Sequence, residues 1–305
     1  MAGQQKLDFV VIGSQKCAST WIYDCLKNHP QLNLRNSKNE DAYYGGSMYR
    51  QKGGDNWYFS QFRKNAKPKG CVSVEYIEDA GAPVLLHNLN SNIKIIASLR
   101  QPAQRAVSAY KWFVRRAYIP DFPLEEGMQQ LLKHYYGELQ NEYSEAYKNI
   151  IDRGFYANRL KNWYNIFPAS QIKISFFDEV KQDSAKAIKD IMLFLETDAS
   201  YIPPNLNTIP KKNSGFAPLI KLERRFPNSR VIVKLADLSN QLLFKKQIKT
   251  VKDDISDGTL QQLNQIYSSS IKELDNLFSV HDTSSQKKLQ TFWNKLLIAE
   301  TEGKF

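Results

Sequence analysis

Short apolar runs of strand length are followed along the chain by longer stretches in which apolar residues recur at helical spacing. The first run is Phe9, Val10, Val11 and Ile12, too short for a free-standing helix and rich in β-branched residues, so a fully buried strand is expected there. Gly13 then allows a sharp turn. Beyond it Trp21, Ile22, Cys25 and Leu26 share one helical face, and Ser19 or Thr20 is the expected N-cap. A second strand is expected at 71–74, with Glu75 at its C-terminal end. Ile93, Ile95 and Ile96 predict a third, ended by Arg100 and Pro102, with helix from Ala103 onward. Helical period continues near 124–136 and 138–151, and again over 181–195, while 153–180 reads as helix, loop and strand. Strands separated by helices predict an α/β fold. No low-complexity linker divides residues 1–305, so a single domain is expected.

The turn after the first strand carries chemistry. Residues 14–20 hold one lysine, Lys16, two small residues, Cys17 and Ala18, and two hydroxyls near the end, Ser19 and Thr20. Backbone N–H groups at a helix start, with a lysine beside them, suit a phosphate. The triphosphatase loop GxxxxGKS/T places its lysine next to the magnesium-binding hydroxyl. Here Lys16 comes three residues after Gly13, and Ser19 and Thr20 follow it by three and four, which disfavours a Mg-nucleotide loop. Further on, Arg100 and Ser108 lie eight residues apart, so a strand-end arginine can share an anion with a hydroxyl on the second turn of the next helix.

Charge narrows the partners. The chain carries 42 Lys and Arg against 31 Asp and Glu, a formal net charge of +11, which favours an anionic partner. The basic residues are spread through the chain with no recognition-helix or RNA-binding signature, so a non-enzymatic basic module is the weaker reading. Cys17, Cys25 and Cys71 are unevenly spaced and form no CxxC pair, which indicates neither a disulfide framework nor a metal site, and a reducing compartment is expected. The polar start MAGQQKLD, the lack of any run of about 20 apolar residues and the lack of an NxS/T sequon lead to the expectation of a soluble cytoplasmic protein without a membrane span.

GSQKCASTWIYDCLKNHP resembles the 5′-phosphosulfate loop of the sulfotransferases that use 3′-phosphoadenosine-5′-phosphosulfate (PAPS), whose usual form is KxGTT or KxGST followed by a helix ending in HP. Ala18 stands where that pattern has glycine. Arg100, Pro102, Arg105, Ser108 and Tyr110 match the family's 3′-phosphate motif RxPxxRxxSxY in order. KNEDAYY resembles the segment after HP in heparan-sulfate-type and bacterial carbohydrate sulfotransferases, and GFYANRLKNWYNIFP resembles the family's Y-x-x-x-L-x-x-W-x-x-x-FP element. Two departures stand out: Ala42 replaces a frequent histidine, and Tyr76 replaces the lysine of VEKTP.

The resemblance implies a P-loop-like central parallel β-sheet flanked by helices, with a variable acceptor-cleft region at about 115–151 and a helical C-terminal part at about 216–305. It implies transfer of a sulfuryl group from PAPS, leaving adenosine 3′,5′-bisphosphate, with Glu40 as general base and Lys16 stabilising the leaving phosphate. Cofactor-binding roles fall on Ser14, Gln15, Lys16, Cys17, Ala18, Ser19, Thr20, Trp21, Arg100, Ser108 and Tyr156, and on Lys212, Asn213, Ser214 and Gly215 of an NxSG-type loop. Glu75, Tyr43 and Tyr76 are the acceptor-side candidates. No metal is expected, nor a nucleic-acid partner. The implied acceptor is a hydroxyl or amine on a carbohydrate; a small metabolite or lipid acceptor, or a P-loop phosphotransferase, are the alternatives.

Overall fold

The computed structural model describes residues 5–35, 43–208 and 255–298. Its elements in chain order are β1 (Phe9–Gly13), α1 (Ser19–Leu26), β2 (Asn33–Leu34), α2 (Ser47–Lys52), α3 (Gly54–Ser60), β3 (Lys69–Val72), α4 (Ala82–Leu89), β4 (Lys94–Leu99), α5 (Pro102–Arg115), α6 (Leu124–Tyr135), α7 (Ser144–Asp152), α8 (Tyr156–Tyr164), β5 (Ile172–Phe176), α9 (Phe177–Gln182) and α10 (Ser184–Phe194), then α11 (Asp257–His281) and α12 (Thr283–Ile298). Two compact units gather these elements, one from 1–101, 155–210 and 268–305, the other from 102–154 and 211–267.

The first unit is built on a five-stranded sheet of order β2-β3-β1-β4-β5. Every pairing is parallel: β1 lies between β3 and β4, with Val10 opposite Cys71 on one side and Ile95 on the other. The fold is α/β, a central parallel sheet flanked by helices. From β1 the chain builds the β3 and β2 side first and the β4 and β5 side afterwards. The carboxyl ends of β1 and β4 therefore flank the point of reversal, where open α/β sheets bind ligands.

Alternation of side chains explains why so continuous an apolar run is needed. Phe9, Val11 and Ile96 face a core closed by Trp21, Ile22, Cys25 and Leu26 of α1 and by Ile188, Ile191 and Met192 of α10. Val10, Ile12 and Ile95 are equally buried, as expected for a strand covered on both faces. Strand β3 starts and ends two residues before the expected 71–74, so Glu75 lies three residues beyond its end; within the strand Gly70 leaves room for the Phe9 ring, whose Cζ a Cβ there would meet at 1.9 Å. The single helix expected over 181–195 is two helices. Asp183, at φ −152°, leaves the helical region, and its carboxylate accepts from Lys186 N to start α10.

The HP pair after α1 is structural. His29 accepts from Gln31 N at Nδ1, so its Nε2 carries the proton and donates to the Asp198 carbonyl at 3.0 Å. The Trp21 indole N–H donates to the Leu206 carbonyl at 2.9 Å, pinning α1 from the same side.

In the second unit α5, α6 and α7 pack together with the first part of α11. Arg105 is fully buried and donates to the Ile150 carbonyl, while the Tyr110 hydroxyl donates to the Phe122 carbonyl. Tyr267 on α11 donates to the Ile151 carbonyl at 2.9 Å. The Glu125 carboxylate accepts from Ser256 N, Ser256 Oγ and Thr259 Oγ1, tying α6 to the start of α11. Among the described residues no helix is long and apolar enough to cross a membrane.

Candidate functional site

The β1–α1 turn is shaped by crowding and by backbone sign. Gly13 has φ +127°, and a Cβ on it would stand 2.9 Å from Ile77 Cγ2 and 3.2 Å from the Val74 carbonyl oxygen. Ser14 N then donates to the Ser98 carbonyl at 2.7 Å, and the Ser98 hydroxyl donates to the Cys17 carbonyl, so the loop is tied to β4 at both ends. Lys16 and Ala18 both take left-handed φ values, 68° and 72°.

Helix α1 begins at Ser19, and its N-cap is Ala18 rather than Ser19 or Thr20. No side chain caps it, and the first bond into the helix runs from Ile22 N to Ala18 O at 3.0 Å. The N–H groups of Ser19, Thr20 and Trp21 precede that bond, and no acidic residue occupies the first turn. A capping oxygen would compete for these donors; its absence, with Lys16 alongside, leaves a first turn suited to a phosphate-like anion. Gln15 adds a polar group of interest: it is 7% exposed and, among the described residues, its Oε1 is buried without a hydrogen-bond partner. A ligand hydroxyl or N–H would satisfy that oxygen, and rotation of the amide would offer an NH2 to an anion instead.

Arg100 directly follows β4, and its guanidinium carbon lies 4.5 Å from the centre of the Phe177 ring. Tyr156 lies nearby, its hydroxyl donating to the Arg100 carbonyl at 2.8 Å and standing 3.6 Å from Cys17 Sγ. Glu75 comes just after β3, where Ser73 N bonds the Val11 carbonyl and Ile77 N the Ile12 carbonyl, so its backbone runs beside the end of β1. On the acceptor side, Tyr43 is half-buried and its hydroxyl donates to Asp79 Oδ2 at 3.2 Å. Its ring meets Tyr76 edge-on with centroids 4.9 Å apart. Tyr76 is fully buried, and its hydroxyl accepts from Tyr44 N at 2.9 Å. Burial first, then the neighbouring Cys71, pushes the Tyr76 phenol far above its ordinary range.

The structure thus brings Ser14, Gln15, Lys16, Cys17, Ala18, Ser19, Thr20 and the backbone of Trp21 into one loop, with Arg100 directly after β4, Tyr156 at the start of α8 and Glu75 three residues beyond β3. Trp21 and Cys17 have fully buried side chains, so what Trp21 presents at the loop is its backbone. Ser108 lies half-buried on α5 in the second unit. Glu40, Lys212, Asn213, Ser214 and Gly215 lie outside the described residues. Three residues escape sequence reasoning: Ser98, Phe177 and Asp79. A lone polar residue inside the apolar strand IIASL is a usable signal for Ser98; Phe177 and Asp79 carry none.

A parallel α/β sheet with a turn at its point of reversal whose geometry suits an anion defines the class. The chain belongs to the sulfotransferase domain family, whose profile it matches over residues 6–274. A crystal structure of a sulfotransferase from Alicyclobacillus acidocaldarius superposes with a TM-score of 0.62, covering 92% of this chain and 99% of that one at 17% identity, which shows the shared fold. The bifunctional heparan sulfate N-deacetylase/N-sulfotransferase 1 of Caenorhabditis elegans is 25% identical over 194 residues, 62% of this chain and 22% of its own length. The membrane-associated sulfotransferase kil1 of Dictyostelium discoideum is 31% identical over 133 residues, 41% of this chain and 27% of its own length. The matched region spans about a quarter of the length of these two relatives.

Proposed function

We propose that the protein transfers a sulfuryl group from PAPS to a hydroxyl or amine of a carbohydrate. The observation that carries this reading is the uncapped first turn of α1, beside Lys16, set at the end of β1 with Arg100 at the end of the neighbouring β4. The loop 14–20 is assigned the 5′-phosphosulfate and Arg100 the 3′-phosphate. Ser108 is assigned to the 3′-phosphate, and the loop Lys212, Asn213, Ser214 and Gly215 to the nucleotide, on the motif resemblance alone. Metal is not invoked.

In this mechanism Glu40 removes the proton from the acceptor hydroxyl or amine as the acceptor atom attacks sulfur. The bond from sulfur to the bridging oxygen breaks, and its electron pair stays on the 5′-phosphate. Lys16 and the first-turn N–H groups of α1 stabilise the charge that develops there. Glu75 and Tyr43 are assigned to the acceptor side. Tyr76, whose hydroxyl is taken up by Tyr44 N, supports Tyr43 from behind.

A glycan acceptor is favoured by the +11 net charge and by the likeness to heparan sulfate N-sulfotransferases. Cys17, Cys25 and Cys71 are buried and form no disulfide, and a reducing compartment is part of this reading. The test is transfer of radiolabelled sulfate from PAPS across an acceptor panel of desulfated polysaccharides, phenols and lipids. Label in a polysaccharide is expected; label only in a phenol or lipid overturns the acceptor class. Magnesium-dependent ATP turnover without sulfate transfer overturns the reaction.

A further inference from the structure

Tyr156 opens α8 with its side chain 1% exposed and its ring centroid 6.4 Å from that of Trp293. Its hydroxyl touches two segments far apart in sequence: the Arg100 carbonyl at 2.8 Å and Cys17 Sγ at 3.6 Å. A carbonyl oxygen only accepts, so the single phenolic proton belongs to Arg100, and toward Cys17 the phenolic oxygen can only accept. Tyr156 Oη and the Gln15 carbonyl at 3.5 Å therefore both stand as acceptors within reach of the Cys17 thiol. A sealed hydroxyl engaged on both sides is poorly placed to bind a ligand.

Cys17 lies in the loop assigned to the 5′ end of the donor, and Arg100 is the residue assigned to the 3′ end. Ser98 makes a second tie between the same segments, accepting from Ser14 N at its carbonyl and donating to the Cys17 carbonyl from its hydroxyl. The Ser98 tie acts at the strand. The Tyr156 tie acts one residue beyond it, on the peptide that carries the Arg100 side chain. Donors that reach a target only through correct placement lose selectivity when that placement loosens.

We infer that Tyr156 is a positioning residue that couples the two halves of the donor site, fixing the Arg100 backbone against the Cys17 turn so that the spacing between the two phosphate positions is built into the protein. This rests on the donor reading above. It also replaces the direct ligand role that the motif resemblance suggests for Tyr156.

The experiment is calorimetric titration of the whole chain with adenosine 3′,5′-bisphosphate and with adenosine 5′-monophosphate, which lacks the 3′-phosphate. Wild type is expected to prefer the bisphosphate. Tyr156→Phe keeps the ring and removes the hydroxyl, and it should shrink that preference by about tenfold while leaving monophosphate affinity within about twofold. In an Arg100→Ala background the same substitution should cost no further bisphosphate affinity, because a coupled pair is non-additive. Cys17→Ala cuts the bridge at its other end; it should shrink the preference in the same direction, and it carries the test alone if Tyr156→Phe does not fold. A preference unchanged in these variants, or full additivity with Arg100→Ala, overturns the inference alone. Wild type that binds both nucleotides equally overturns the donor reading, and this inference with it.

Discussion

The Arg100 guanidinium stands over the Phe177 ring at 4.5 Å because the two residues follow a register pair: Leu99 of β4 lies opposite Phe176 of β5. Parallel pairing carries both chains out of the sheet side by side, so the cation meets the ring face one residue later. A cation held over a ring is worth roughly 0.5–2 kcal/mol, depending on how dry the pair is. The ring also restricts where the guanidinium fork can point.

Phe177→Leu keeps apolar bulk but loses the ring face. Affinity for adenosine 3′,5′-bisphosphate should fall about fivefold, corresponding to ~1 kcal/mol, with little change in melting temperature. Calorimetry and a thermal melt check both. Unchanged affinity would detach Phe177 from the function of Arg100.

Ala18 occupies a left-handed position at φ 72° where the family pattern has glycine. Holding an L-residue there costs ~1–2 kcal/mol, while glycine loses roughly 0.5–1 kcal/mol of extra chain entropy on folding. The first effect wins by a small margin. Ala18→Gly should therefore stabilise the protein by about 0.5 kcal/mol in denaturant titration, with the loop still competent to bind nucleotide. A loss of stability would mean that the alanine methyl has a packing role that outweighs its strain.

Glu125 supplies a pH dependence. The Thr259 hydroxyl first, then Ser256 N–H and the Ser256 hydroxyl, hold its carboxyl down to about 2. A folded-state pKa below the unfolded one contributes stability that is complete above the ordinary carboxylate range and is lost as pH falls toward about 2. The carboxylate is partly exposed, so solvent screening reduces its worth. Glu125→Gln should cost about 1 kcal/mol at neutral pH and correspondingly less at the acid end of that window. Melts of both proteins across pH would show the gap closing as the solution is acidified; a gap independent of pH removes the clamp.

Much of this arrangement is legible in the chain because it depends on local rules. A four-residue apolar run followed by glycine marks β1 and its turn, and the isoleucines before Arg100 mark β4. Boundaries that depend on tertiary contacts are less legible. The second strand is expected at 71–74, yet β3 takes in Gly70, which pairs with Phe9 and Leu34 and whose missing Cβ leaves room for the Phe9 ring. The uncapped start of α1 is hidden too, since Ser19 and Thr20 look like caps until the backbone shows the helix starting at Ser19. Tyr156 is read from its motif as a ligand, but its bridge from Cys17 to Arg100 needs three segments in their folded places.

Glu40 is the residue assigned to take the acceptor proton, and it has no assigned contact with the nucleotide. Glu40→Gln should lower sulfate transfer by at least about 100-fold while nucleotide affinity changes less than about twofold. Paired measurement of turnover and bisphosphate binding separates the two. Equal loss of both would remove the base assignment.

The central claim is that the β1–α1 loop and Arg100 together hold a 3′,5′-bisphosphorylated adenosine. Calorimetric titration of wild type and Arg100→Ala with adenosine 3′,5′-bisphosphate, in the presence of a metal chelator, tests it most directly. Saturable binding to wild type is expected, weakened in the variant by about 1.5–3 kcal/mol, the cost of losing a charged hydrogen-bond partner. Failure of wild type to bind, or equal affinity in the two proteins, would contradict it.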